Sequence, residues 1–223
     1  MGALFGLLAQ RVRDERGSLG FAVGINSIGA ALAPLATAQL LIPGFGAWTA
    51  LLPIGLGYLV LLPFTPRALV WSAAPLIAAL VLWLRPTPLL TRVPSGGELL
   101  AMREGPMATA SVVDDASGIR YLEINGHFRM GGTSSSRSDY RQATLPLLLH
   151  PAPKRALFLG IGTGATVIGG THMPGVTVRG VELSREVVDL LPYFANPAAN
   201  DQMPPITVAD ARRFVAADQA SYD

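Results

Sequence analysis

A nearly charge-free apolar N-terminal third, a group of short β-rich runs and a strand ending in alternate glycines predict this chain's fold class. It is a helical membrane segment joined to a Rossmann-like α/β domain. Half of the 223 residues are hydrophobic and only 14% are charged, and the mean hydropathy of +0.41 is high for a wholly soluble protein. From Gly17 to Leu84 the one charged side chain is Arg67, whereas acids and bases are scattered normally from Arg85 onward. The chain thus divides into a lipid-suited part and a water-suited part.

Residues 1–84 read as transmembrane helices, with apolar stretches at about 19–42, 47–62 and 68–84 separated by Pro and Gly breaks. At ~1.5 Å per residue the first crosses a bilayer easily and the others lie near the lower limit of ~17 residues. Trp48, Trp71 and Trp83 fall near span ends, where an aromatic belt places them. Gly20, Gly24, Gly29 and Ala33 give the first span a small-residue face suited to close helix contact. Pro34, Pro53 and Pro75 lie inside spans, which membrane helices tolerate. The spans hold no acid, so nothing in them marks a transport site. Three spans put the Arg11/Arg13/Arg16 segment and the C-terminal part on opposite sides. Positive-inside bias and a nucleotide-dependent domain both ask for the cytoplasm, so the two demands conflict.

Residues 85–105, rich in Pro, Gly and Ser, read as a linker. The region 106–138 reads as a β-hairpin. Thr109–Val113 and Ile119–Ile124 flank the turn Asp114–Gly118, and a second turn at Asn125-Gly126 precedes His127–Met130. Gly131–Ser138 reads as flexible, and a helix is expected from Gln142 to His150 around Pro146.

Residues 139–223 carry the nucleotide-binding pattern. Ala156-Leu-Phe-Leu runs into Gly160, Gly162 and Gly164, and a second apolar run, Val176–Val181, ends in Glu182 about 20 residues later. Glycines let a backbone approach a ligand where a Cβ would collide. The Glu182 carboxylate at a strand tip can accept hydrogen bonds from two ribose hydroxyls. Ser184 is an N-cap with Glu186 in the first turn of a helix that Pro192 shortens. Ile206–Val208 is a third strand, and Asp210 opens a further helix. Gly160-x-Gly162-x-x-Ala165 also satisfies a looser dinucleotide fingerprint, but Asp210 after a third strand favours an adenosyl ligand.

Other classes are excluded. Cysteine is absent, which removes disulfides and thiolate metal sites. His127, His150 and His172 have no metal-ligand spacing. The basic balance comes from dispersed arginines without basic runs, which argues against a nucleic-acid partner. Arg212 and Arg213 read as a solvated helix face, and Gly169-Gly170 has no evident role at this level.

The order of these features resembles the polyamine synthases, the spermidine synthase-like aminopropyltransferases. Among them it is similar to bacterial membrane forms in which such a domain follows transporter-like helices. The matching pieces are Ser18–Leu41, Ala108–Gly126, Asp139–Gln142, Leu145–Arg155, Leu157–Gly164, Gly180–Glu182 and Ala209–Arg212, with His150–Gly164 the most specific. The resemblance implies an S-adenosyl-binding domain of the class I methyltransferase type. In it the loop of Gly160, Gly162 and Gly164 holds the aminopropyl or amino-acid end of the nucleoside. Glu182 grips the ribose, and Asp210 with Ala211 meets the adenine. Asp139, Tyr140 and Gln142 would face the second substrate.

By that resemblance the reaction transfers an aminopropyl group from decarboxylated S-adenosylmethionine to an amine such as putrescine, without a metal. Methyl transfer from S-adenosylmethionine and a non-catalytic nucleoside sensor associated with a transporter stand as alternatives. The partners implied are a small-molecule amine and the lipid bilayer, with a second copy of the chain left open. The location implied is the bacterial inner membrane, with the soluble domain cytoplasmic. Arg141 and Gln142 stand where many relatives carry an acid. The family pattern places the catalytic aspartate on a fourth strand beyond Asp223, so the sequence reads as a fragment carrying the front half of the domain, and no catalytic residue is assigned.

Overall fold

The computed structural model describes residues 6, 9–13, 18–59, 76, 77, 80, 84, 91–196 and 201–223. The chain separates into two units, Met1–Leu84 and Arg85–Asp223.

In the first unit, helix α1 (Leu19–Ala36) is capped by the Ser18 hydroxyl, which accepts the Phe21 N–H. It passes through a π-turn (Thr37–Leu41) into the short helix α2 (Ile42–Phe45). Pro43 explains the π-turn. It has no N–H for the Gln39 carbonyl, so the ladder steps to a five-residue register in which Ile42 N–H donates to Thr37 O. The continuous run Leu19–Phe45, 27 residues, is long and apolar enough to cross a membrane, and the residues of its most apolar window are not buried. Among the described residues, Gly20, Gly24 and Gly29 make no close approach to another element. Helix α3 (Leu51–Leu59) falls inside the second expected span. Most of the third span, including Trp71 and Trp83, lies outside the described residues.

The second unit opens with an antiparallel meander of β1 (Glu98–Glu104), β2 (Thr109–Asp114), β3 (Arg120–Ile124) and β4 (Phe128–Gly132), in that order. The presence of β1 corrects the expectation of a linker over 85–105. Its pairing with β2 from Glu98↔Asp114 to Glu104↔Thr109 is a long-range contact that composition does not reveal. The β2–β3 turn is held by Asp115, whose Oδ1 accepts from Ser117 N, Ser117 Oγ and Ile119 N. These bonds, the Ser117 hydroxyl foremost, hold its carboxyl below the usual range. Asn125 (φ 52°) and Gly126 (φ 64°) form the expected tight turn, both with positive φ.

The expected flexible stretch Gly131–Ser138 is ordered instead, and α4 (Ser136–Leu149) begins six residues earlier than expected. Hydroxyls supply the missing local bonds. The single Ser135 hydroxyl proton is shared between Gly132 O and Asp139 Oδ2, Ser136 Oγ donates to Thr133 O and Ser138 Oγ to Ser135 O, while Thr133 Oγ1 accepts from Arg120 N.

A parallel three-stranded sheet follows, ordered β5 (Arg155–Leu159), β6 (Thr177–Glu182) and β7 (Ile206–Val208). Helix α5 (Ala165–Thr171) joins β5 to β6. The one-turn α6 (Arg185–Val188) and a 3-10 turn at Leu191–Tyr193 follow β6, and α7 (Ala211–Ala217) follows β7. One core gathers Leu147, Ala156, Ile161, Val167, Val178 and Leu191 around the parallel sheet. The other joins Ala110, Val112 and Leu122 of the meander to Val187 and Leu190, so the meander packs against the helical segment that follows β6. Burying each Val, Leu or Ile side chain among them contributes roughly 1.5–3 kcal/mol. Arg120 adds a polar tie, with Nε and Nη2 on the Asp114 carboxylate and Nη1 donating to Tyr193 O at 2.7 Å.

The unexplained pair Gly169-Gly170 has a packing role. A Cβ on Gly169 would lie 2.7 Å from Tyr140 Cα and 2.9 Å from Tyr140 O, and one on Gly170 would lie 2.9 Å from the Phe158 ring. The glycines let α5 lie directly against α4 on one side and β5 on the other.

Candidate nucleoside site

The C-terminal ends of β5, β6 and β7 lie side by side, where ligands bind in open parallel sheets. Leu159 pairs with Val181 and Glu182 with Val208, so Gly160, Glu182 and Val208 lie at one level of the sheet edge, with Ala209 one residue beyond. Gly160 N–H donates to Val181 O and Ala209 N–H to Glu182 O, which closes that edge.

Gly160, Gly162 and Gly164 have φ of 79°, 57° and 84°. At Gly160 and Gly164 this left-handed backbone turns the chain out of β5 and into α5, at a cost of ~1–2 kcal/mol for a residue with a side chain. The space a Cβ would fill at Gly160 is open. Residues that sequence reasoning did not single out flank the other two. A Cβ on Gly162 would lie 3.6 Å from Met130 O, one on Gly131 would lie 3.2 Å from Thr163 Cγ2, and one on Gly164 would lie 2.7 Å from Met203 Cε. Strand β4 and Met203 therefore wall the loop from two sides.

Glu182 is 6% exposed. Its Oε2 accepts Ile161 N–H of the glycine loop at 2.8 Å, and its Oε1 accepts Ser184 N–H at 3.0 Å. Each oxygen keeps a lone pair. The carboxylate thus fixes the loop and still has capacity for hydroxyl donors. Asp210 caps α7, its Oδ1 accepting Arg213 N–H at 2.9 Å, and Ala211 follows as the first residue of that helix.

The structure brings the loop into contact with Glu182 and places Asp210 and Ala211 on the same sheet edge. Asp139, Tyr140 and Gln142 sit apart on α4. Asp139 Oδ2 accepts from Ser135 Oγ at 2.7 Å, and Gln142 is exposed. The Tyr140 hydroxyl donates to Asp201 Oδ2 at 2.7 Å. Burial first, then this bond and the Asp201 charge, push the phenol up to about 12. Asp201 and Met203 carried no sequence signal, because their partners are remote in the chain.

A polyamine aminopropyltransferase of Nitrosomonas europaea is 28% identical to this chain over 131 residues, 56% of the chain and 40% of that relative. The comparison points to the polyamine aminopropyltransferases. The chain spans about 40% of the length of that curated relative. The spermidine synthase from Thermotoga maritima is similar in structure, with a TM-score of 0.49 and 17% identity over 56% of this chain and 44% of that one. A spermidine synthase in complex with the transition state analogue AdoDATO gives a TM-score of 0.49 and 17% identity, over 56% of this chain and 45% of that one. No family model matches the chain.

Proposed function

We propose that this chain carries the nucleoside-binding part of an aminopropyltransferase. Its nucleoside ligand is decarboxylated S-adenosylmethionine, and the product nucleoside is methylthioadenosine. Geometry and sequence supply separate supports. A buried carboxylate at the tip of β6, bonded to a positive-φ glycine loop at the end of β5, suits the ribose of an adenosyl ligand. The likeness to the Nitrosomonas europaea relative is the observation that supports aminopropyl transfer in particular.

In the reaction so assigned, an uncharged amine attacks the carbon next to the sulfonium. A carbon–nitrogen bond forms, the carbon–sulfur bond breaks, and the electron pair leaves on the sulfur of methylthioadenosine. The amine proton passes to a base that no residue of this chain is assigned to supply. This chain's contribution is orientation. Glu182 holds the ribose hydroxyls, the glycine loop admits the aminopropyl arm, and Asp210 with Ala211 meets the adenine edge. Positioning of this kind removes much of the barrier to a bimolecular displacement. The acceptor is a small amine such as putrescine.

The N-terminal unit anchors the domain in the inner membrane, with Leu19–Phe45 as the span that supports this reading and the soluble unit in the cytoplasm. Recovery of the full-length chain in the soluble fraction without detergent contradicts the anchor. For the reaction, purified protein is incubated with putrescine and decarboxylated S-adenosylmethionine and assayed by mass spectrometry. Methylthioadenosine release that requires both substrates supports transfer by the chain itself. Methylated product from S-adenosylmethionine replaces the proposal with methyl transfer.

A further inference from the structure

Asp201 is the most thoroughly buried carboxylate near the candidate site, with a side-chain exposure of 0%. A carboxylate so removed from water depends on its neighbours for compensation, and here two hydrogen bonds fall on Oδ2 while Oδ1 has no hydrogen-bond partner among the described residues. Oδ2 accepts the Tyr140 hydroxyl of α4 at 2.7 Å and Asn196 N–H at 3.0 Å. Oδ1 faces Nε2 of His172, the residue after α5, at 3.3 Å. The Tyr140 and His172 rings meet edge-on, 5.5 Å between centroids, so each orients the other against the carboxylate. Asp201 N–H also donates to Asn196 O.

What this cluster fixes in place is the run from Asp201 to Pro205. Its far end is tied to the sheet, where Pro205 O accepts Gly180 N–H at 3.1 Å, and Pro204-Pro205 removes backbone freedom between the two anchors. Met203 lies between them, against Gly164, with its methyl and sulfur in the space a side chain at Gly164 would occupy. A methionine is a compliant wall by itself. Its position is set by the anchors on either side.

We infer that Asp201, held by the Tyr140 hydroxyl and Asn196 N–H, is a positioning residue of the nucleoside site, seating Met203 against Gly164 so that the glycine loop is preorganised for its ligand. The inference rests on the nucleoside reading above. It gives the Tyr140 hydroxyl a role in the loop's support in place of contact with the second substrate.

The test measures two quantities on the full chain in detergent. They are amide hydrogen exchange across Gly160–Ala165 and the Kd for methylthioadenosine. Tyr140→Phe and Asp201→Ala should each accelerate loop exchange and weaken binding about ten-fold, the size expected when a hydrogen bond to a charged group is lost. Asp201→Asn, which keeps an acceptor for the phenol, should recover most of both. Met203→Ala should reproduce the losses, and in its background Tyr140→Phe should add less than about two-fold, since coupled groups are non-additive. That coupling separates positioning from general destabilisation.

Tyr140→Phe leaving loop exchange unchanged, or its effect adding in full to that of Met203→Ala, overturns the inference. If Asp201→Ala does not fold, Tyr140→Phe and Met203→Ala decide alone. If the unaltered chain binds no methylthioadenosine, the proposed function falls while the exchange comparison still decides whether the clamp positions the loop.

Discussion

Replacing Glu182 by glutamine probes the junction between fold and site, because the change alters charge and donor pattern with almost no change of shape. In the native protein both carboxylate oxygens accept backbone N–H groups, Ile161 at 2.8 Å and Ser184 at 3.0 Å, at a position 6% exposed. The glutamine amide offers one oxygen and one NH2 group. Whichever way it turns, one backbone donor meets another donor and is left unsatisfied. Loss of a hydrogen bond to a charged group costs ~1.5–3 kcal/mol, and the surviving bond, now neutral, is weaker by about 1 kcal/mol. The sum is about 3 kcal/mol, a large share of the ~5–15 kcal/mol that holds a domain together. For a unit the size of Arg85–Asp223 this corresponds to a fall in Tm of about 10 °C.

Thermal unfolding followed by near-ultraviolet circular dichroism measures the Tm change, and hydrogen exchange at Gly160–Thr163 locates it. Glu182→Ala should be at least as costly, since both donors lose their partner. A Glu182→Gln protein within about 0.5 kcal/mol of the original, the ordinary range for surface substitutions, would refute the claim that this carboxylate holds the glycine loop.

Gly169→Ala should destabilise by about 1–3 kcal/mol, as overpacking does, because its Cβ meets Tyr140 backbone rather than a side chain able to move. A stabilised variant in chemical denaturation would show that the helices separate freely. Asp210→Ala removes the α7 cap and should cost ~1 kcal/mol, readable in the same assay, with Asp210→Asn close to neutral. Tyr140 should remain protonated after the unfolded-state tyrosine has begun to ionise near its ordinary value of 10.0. A folded value raised to about 12 means the hydroxyl's contribution is complete below pH ~10 and is lost as pH rises toward 12. Near-ultraviolet absorbance titration should lose its latest-titrating component in Tyr140→Phe.

The features legible in the sequence are those whose cause is local. An apolar strand running into Gly160, the paired positive φ at Asn125-Gly126, and the caps at Ser184 and Asp210 each depend on a few neighbouring residues. The misread features depend on remote partners. Strand β1 exists through β2, and the start of α4 through hydroxyl bonds that compete with disorder in a Ser-rich run. The Tyr140–Asp201 bond joins positions 61 residues apart, and no periodicity in either segment announces it. The glycines 169 and 170 were visible as an oddity, but their reason lies in the surfaces of Tyr140 and Phe158. The candidate site was thus readable where it is made of strand ends, and unreadable where other elements support it.

In the proposed function, the edge formed by Gly160–Gly164, Glu182 and Asp210 holds the adenosyl group of an aminopropyl donor. Calorimetric titration of the full chain with methylthioadenosine, decarboxylated S-adenosylmethionine, S-adenosylmethionine and NAD tests it directly. An aminopropyltransferase pocket has no use for the amino-acid carboxylate, so the first two ligands should bind more tightly than S-adenosylmethionine. Glu182→Ala should weaken them by at least about ten-fold through loss of a charged partner for the ribose hydroxyls. Tighter binding of S-adenosylmethionine would contradict the aminopropyl assignment, and binding of NAD in preference to all three would contradict the adenosyl site itself.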